Sequence, residues 1–135
     1  MSLEIEQRER EGIFILAMRG RITLGKEATA LREKVAELNA AGNRNLVFEL
    51  AGVDYIDSTG LGALVMCGTT LRKQGGNMKL LNLNKRNIEL LIMTKIATVF
   101  DLFADEQDAV NSFFPDRKIK TFDILSFVNQ MKKED

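Results

Sequence analysis

Apolar and polar residues follow two rhythms along this chain, and the changes of rhythm mark out its elements. Leu3-Glu4-Ile5-Glu6 steps with a period of two and turns polar at Gln7-Arg8, the pattern of an edge strand. Glu11-Gly12 is a turn signal, and Ile13-Phe14-Ile15-Leu16-Ala17-Met18 is a continuous apolar run, so the two segments are predicted to pair as a hairpin. After a loop punctuated by Gly20 and Gly25, Ala28, Leu31, Val35 and Leu38 recur at helical spacing, with Gly42 placed to end that helix. Glu33, Lys34 and Glu37 fall on its solvated side. Leu46 to Leu50 reads as a short buried strand. Leu61, Leu64, Val65, Gly68 and Leu71 then restore the helical period, predicting a helix from Ser58 or Thr59 to Lys73 with Gly75-Gly76 as its stop.

The second half repeats the alternation. Met78 to Leu83 reads as a strand, and Asn84 is placed to cap a short helix whose Ile88, Leu91 and Ile92 face inward. Thr98 to Phe103 reads as a last strand, and Asp105 caps a helix carrying Ala109, Val110, Phe113 and Phe114. Strand and helix in turn after residue 45 imply parallel pairing through crossovers, so with the opening hairpin the fold class is α/β, one domain on a mixed β-sheet with flanking helices. The only proline, Pro115, closes the last of these helices, and Asp116-Arg117-Lys118-Ile119-Lys120 reads as a basic linker. Phe122, Leu125, Val128 and Met131, broadened by Ile124 and Phe127, predict an amphipathic helix over 122–132. Residues 1–114 are therefore expected to form the domain and 115–135 a linker and helix. That helix is too apolar on one face to stay in water, so it docks at home or, as a homodimer, on a second copy, with home preferred.

Composition narrows the chemistry. A chain of 135 residues fits one domain, and 19 basic against 19 acidic residues leave no net field for gripping nucleic acid. With no histidine and one cysteine, Ser-His-Asp and Cys-His catalysis, histidine-containing zinc sites and thiolate clusters are all excluded. Neither a signal peptide nor an apolar run near the ~20 residues of a membrane span is present, so a cytoplasmic location without membrane insertion is expected. No enzyme activity, cofactor or metal is called for. The six methionines are assigned to core filling and Cys67 to packing.

The stretch from Val53 to Gly62 organises the rest, because a small hydroxyl residue falls where a strand hands over to a helix. The first N–H groups of a helix lack intrahelical partners and its macrodipole is positive there. Ser58 therefore reads either as a plain N-cap or as a residue that would carry a phosphate in a favourable field, with N–H donors open to it. Asp57 reads most simply as a turn residue, with a cap or a general acid/base contact for a kinase as the other readings, and Asp54 as the polar end of the strand connection. Gly60 and Gly62 allow close approach of the sheet or a partner. Gly60-Leu61-Gly62 is not a dinucleotide loop, since Val65 stands where the third glycine is needed. No stretch forms a phosphate-binding P-loop.

Asp57-Ser58-Thr59-Gly60-Leu61-Gly62, between an apolar strand and an amphipathic helix ending in Gln74-Gly75-Gly76, resembles the signature of STAS domains, and in particular of bacterial anti-sigma factor antagonists. The resemblance runs over about Leu3 to Phe114. It implies the STAS fold and a phosphorylation-switched binding module. The unphosphorylated form would bind an anti-sigma factor that is also a serine kinase, and phosphorylation of Ser58, with Thr59 as a secondary site, would release it. A phosphatase would reset the switch. The binding surface so implied comprises Thr23, Leu24, Gly25, Asp57, Ser58, Thr59, Gly60, Leu61 and Gly62. At Thr23 the family usually carries Asp or Asn, a departure that bears on partner identity. The alternative readings are a STAS subunit of a membrane-transport or lipid-trafficking complex and a small-ligand or nucleotide-sensing STAS module.

Overall fold

The computed structural model describes residues 3–134. Strands β1 (Leu3–Arg10) and β2 (Ile13–Ile22) form the expected hairpin, and its two-residue turn holds Glu11 at φ 54° and Gly12 at φ 83°. Left-handed backbone at both central positions matches the twist of the flanking strands, and glycine adopts it without a Cβ clash. The chain continues through α1 (Lys26–Ala40), β3 (Asn45–Ile56), α2 (Ser58–Lys73), β4 (Asn77–Leu81), α3 (Lys85–Met93), β5 (Asp101–Phe103), α4 (Glu106–Asn111) and α5 (Ile124–Glu134). The sheet order is β1-β2-β3-β4-β5, antiparallel between β1 and β2 and parallel thereafter. The mixed α/β sheet is thus as expected.

Alternation along the strands divides the interior into two clusters. Leu16, Met18, Phe48, Leu50, Leu80 and Leu102 join Leu31, Val35, Leu64, Leu71 and Leu91 of α1, α2 and α3. Ile13, Ile15, Val47, Leu81 and Phe103 point the other way, onto Ala109 and Val110 of α4 with Phe113 and Phe114. Lys79, only 7% exposed, lies on this second face, where its ammonium is 2.6 Å from Asp101 and 5.5 Å from the centre of the Phe113 ring. The partner carboxylate is what makes that burial tolerable. Arg8 and Arg10 of β1 both pair with Glu106, tying the edge strand to α4.

Several boundaries differ from the sequence reading. β3 continues to Ile56 because β2 keeps pairing with it past two register shifts, burying Val53 and Ile56. Asp54 consequently sits exposed inside a strand rather than in a connection. β4 stops at Leu81, where Asn82 turns the chain at φ 58°, and β5 starts only at Asp101 because a 3₁₀ turn occupies Ile96–Thr98. α4 ends at Asn111, so Phe113 and Phe114 reach the second cluster from the following turns.

The tail helix begins at Ile124 because Phe122 is used otherwise: its N–H donates to Leu102 O at 2.8 Å, holding it extended. Asp123 then accepts from Ser126 N at 3.0 Å and starts the helix. Phe122 and Ile124 pack on the first cluster, while Arg117 reaches Glu11 at 2.8 Å on the way. Deleting 116–135 uncovers Leu83, Ile88 and Leu102 beside Phe122. The half-buried Phe122 and Ile124 together are worth about 2 kcal/mol, so urea unfolding of the truncated chain is expected to report that loss. Sedimentation should give an unchanged assembly state; conversion of a dimer to a monomer would show that the helix is exchanged between copies.

Candidate functional site

Parallel pairing of β2 with β3 sets the loop after β2 beside the start of α2. Arg21 pairs with Tyr55 and Ile22 with Ile56, so Thr23, Leu24 and Gly25 leave the sheet next to Asp57. Asp57 N donates to Ile22 O at 3.2 Å. With extended backbone (φ −91°, ψ 179°), Asp57 is the N-cap of α2: one carboxylate oxygen accepts from Gly60 N at 2.7 Å, the other from Leu24 N at 2.9 Å. The Gly60 N–H is the main cause, and the Leu24 N–H the next, of a carboxyl held below its ordinary range. Both bonds thus stand at neutral pH and weaken only as acid protonates Asp57.

Ser58 is therefore not the cap. It is the first residue of the helix, exposed, and its hydroxyl has no partner among the described residues. The turn-residue reading of Asp57 gives way to the cap, since a carboxylate can span two donors at once and a serine hydroxyl in helical backbone cannot reach them. The donors expected to stand open are likewise partly engaged, because Asp57 already holds Gly60 N. Thr59 is half-buried, and Gly60 is buried so tightly that a Cβ there would lie 1.9 Å from Ile22 O.

The predicted residues divide by exposure. Leu24 is 72% exposed, and Gly25, at φ 102°, and Ser58 are exposed with it. Gly62 has nothing within 4 Å of a notional Cβ. Leu61 is buried in the core, and Thr23 is half-buried, its hydroxyl 3.3 Å from Glu27 and its carbonyl accepting from Ala28 N. Gly62 and Met66 lie four and eight residues after Ser58, so the three share one helix face, with Met66 61% exposed. The assignment of the methionines to the core is thus corrected: Met18 and Met78 are buried, but Met66 and Met93, the latter 78% exposed, are on the surface. Met66 falls off the stripe of Leu61, Leu64 and Leu71, which is the sequence signal that could have marked it.

Two shallow depressions open on the surface, one at the end of β3 against α3 and one between α1 and α2. One, of about 200 Å³, is lined by Tyr55, Ile56, Arg86, Leu90 and Met93, with the Arg86 guanidinium 4.9 Å from the centre of the Tyr55 ring. The side-chain amides of Asn84 and Asn87 fix its wall by donating to Val53 O at 3.0 and 2.9 Å. The other lies between α1 and α2 beside Met66 and Cys67. Burial pushes the Cys67 thiol up to about 11, so it is protonated and packs, as expected.

The family model for the STAS domain matches residues 4–109. The anti-sigma-B factor antagonist of Bacillus subtilis (strain 168) is 34% identical over 110 residues, covering 82% of this chain and 99% of that protein. That of Staphylococcus epidermidis is 28% identical, covering 76% and 85%. Among solved structures, an anti-sigma factor antagonist from Mycobacterium paratuberculosis superposes with a TM-score of 0.70 at 20% identity, covering 82% of this chain and 92% of its own. Among the described residues no helix is long and apolar enough to cross a membrane.

Proposed function

We propose a phosphorylation-switched protein-binding function from one premise: the chain belongs to the STAS domain family. Its role is that of an anti-sigma factor antagonist. Residues 1–114 carry the binding surface, which in the unphosphorylated state docks on an anti-sigma factor that is also a serine kinase. The kinase modifies Ser58, or secondarily Thr59, and a phosphatase restores the free hydroxyl. The observation that carries this reading is the placement of Ser58, exposed at the first position of α2, beside the exposed Leu24 of the loop that Asp57 ties to that helix. The antagonist name of the relative at 34% identity supports it over a transport-complex or ligand-sensing role. The protein acts as a cytoplasmic binding module, not as an enzyme.

Incubation with the anti-sigma factor kinase of the same organism, followed by peptide mass spectrometry, is the direct test. Phosphate is expected on the peptide containing Ser58, and Ser58→Ala should abolish the major product. Phosphate found only outside Ser58 and Thr59 would sink the assignment.

A further inference from the structure

We infer that Asp57 is a positioning residue that clamps the Thr23–Gly25 loop to the start of α2, and that a phosphate on Ser58 opens this clamp. The inference rests on the phosphorylation reading of Ser58 and adds how the modification is felt elsewhere on the surface. The Asp57 carboxylate is divided between two segments far apart in sequence. One oxygen accepts from Gly60 N at 2.7 Å within its own helix, the other from Leu24 N at 2.9 Å on the loop. Leu24 is otherwise 72% exposed, so its side chain does little to hold the loop tip.

A phosphate on Ser58 sits one residue from that carboxylate and brings about −1.5 to −2 charges. Like charges so close repel, and the phosphate oxygens are rival acceptors for the N–H groups of the first turn. Asp57 is then displaced from one of its two donors. The Gly60 bond lies inside the helix cap, which the backbone of α2 keeps in register. The Leu24 bond is held only by the loop tip, so it is the one to break. The base of the loop stays in place for a separate reason: Asp57 N donates to Ile22 O at 3.2 Å, and Gly60 is packed against that same carbonyl. The device thus moves Leu24, the most exposed apolar residue of the proposed interface, without loosening the domain.

Phosphoserine placed genetically at position 58 of the full chain tests the coupling without any kinase. In ¹⁵N spectra the Leu24 amide of the phosphorylated chain is expected to shift upfield and to exchange with solvent at least tenfold faster. The Asp57 amide, bonded to Ile22, should keep its protection. Asp57→Asn in the unmodified chain, which leaves one acceptor oxygen for two donors, should reproduce the Leu24 change in part. A Leu24 amide unaltered by confirmed phosphate at Ser58 would overturn the inference, as would an Asp57→Asn chain, folded by the same spectra, with full Leu24 protection. Either result leaves the kinase assignment standing, because that is decided by where the kinase puts its phosphate.

Discussion

Gly60→Ala is expected to destabilise the protein by about 3 kcal/mol, a drop of roughly 10 °C in Tm for a domain of this size. The cause is local and steric. A Cβ at Gly60 would lie 1.9 Å from Ile22 O, 2.7 Å from Ile22 C and 2.9 Å from Ile22 Cγ2. Two of these three are backbone atoms of a residue that pairs with Ile56 of β3, so no rotamer change relieves the contact. Either α2 must lift from the sheet, opening space under Leu61 and Leu64, or β2 must deform. Gly62→Ala provides the contrast within the same helix. Nothing lies within 4 Å of a Cβ there, so the gain in helix propensity should stabilise the fold by about 0.5–1 kcal/mol. Urea unfolding of the two variants measures both signs. Equal stability of Gly60→Ala and the parent chain would mean that the close approach of α2 to β2 does not exist.

Phosphoserine at position 58, and Ser58→Asp less completely, should weaken binding to the anti-sigma factor at least a hundredfold, whereas Ser58→Ala should bind within a few-fold of the parent. A hundredfold corresponds to about 3 kcal/mol. The modified residue is solvated while the protein is free, so its charge costs little there, but docking would desolvate it beside the ionised Asp57. The loss therefore belongs to the complex and not to the fold. Thermal melts of free modified and unmodified protein should differ by less than about 1 kcal/mol, since Ser58 touches no part of the core. Titration calorimetry against the purified partner separates the two quantities. A melt that collapses on phosphorylation would show that the modification acts by unfolding.

The legible part of this molecule is the part written in local patterns. Period-two alternation in β1, apolar runs in the other strands and helical spacing locate the strands and helices, and the turn at Glu11-Gly12 and the caps at Asn84 and Asp105 stand where their residue types point. Asp-Ser-Thr-Gly-Leu-Gly, between strand and helix, marks the candidate site for the same reason: the strand-to-helix handover is short-range. The extents of β3 and β5 were not legible, because a strand ends where its neighbour stops pairing with it.

Which residue caps α2 was likewise decided in three dimensions. Asp57 and Ser58 are both good caps by type, and the choice falls to Asp57 because its second oxygen finds Leu24 N, thirty-three residues earlier. Exposure of Met93 is of the same kind: methionine is apolar in any sequence, and only the position of the neighbouring elements leaves this one in water. Phe122 belongs to the repeating apolar face of the tail by its spacing, yet its N–H meets Leu102 O and keeps it out of the helix. The sequence by itself determines the elements, their order and the serine at the strand-to-helix handover, since those depend on residues within a turn or two of each other. The tertiary structure alone decides what that serine adjoins, because the loop beside it arrives through the register of β2 on β3.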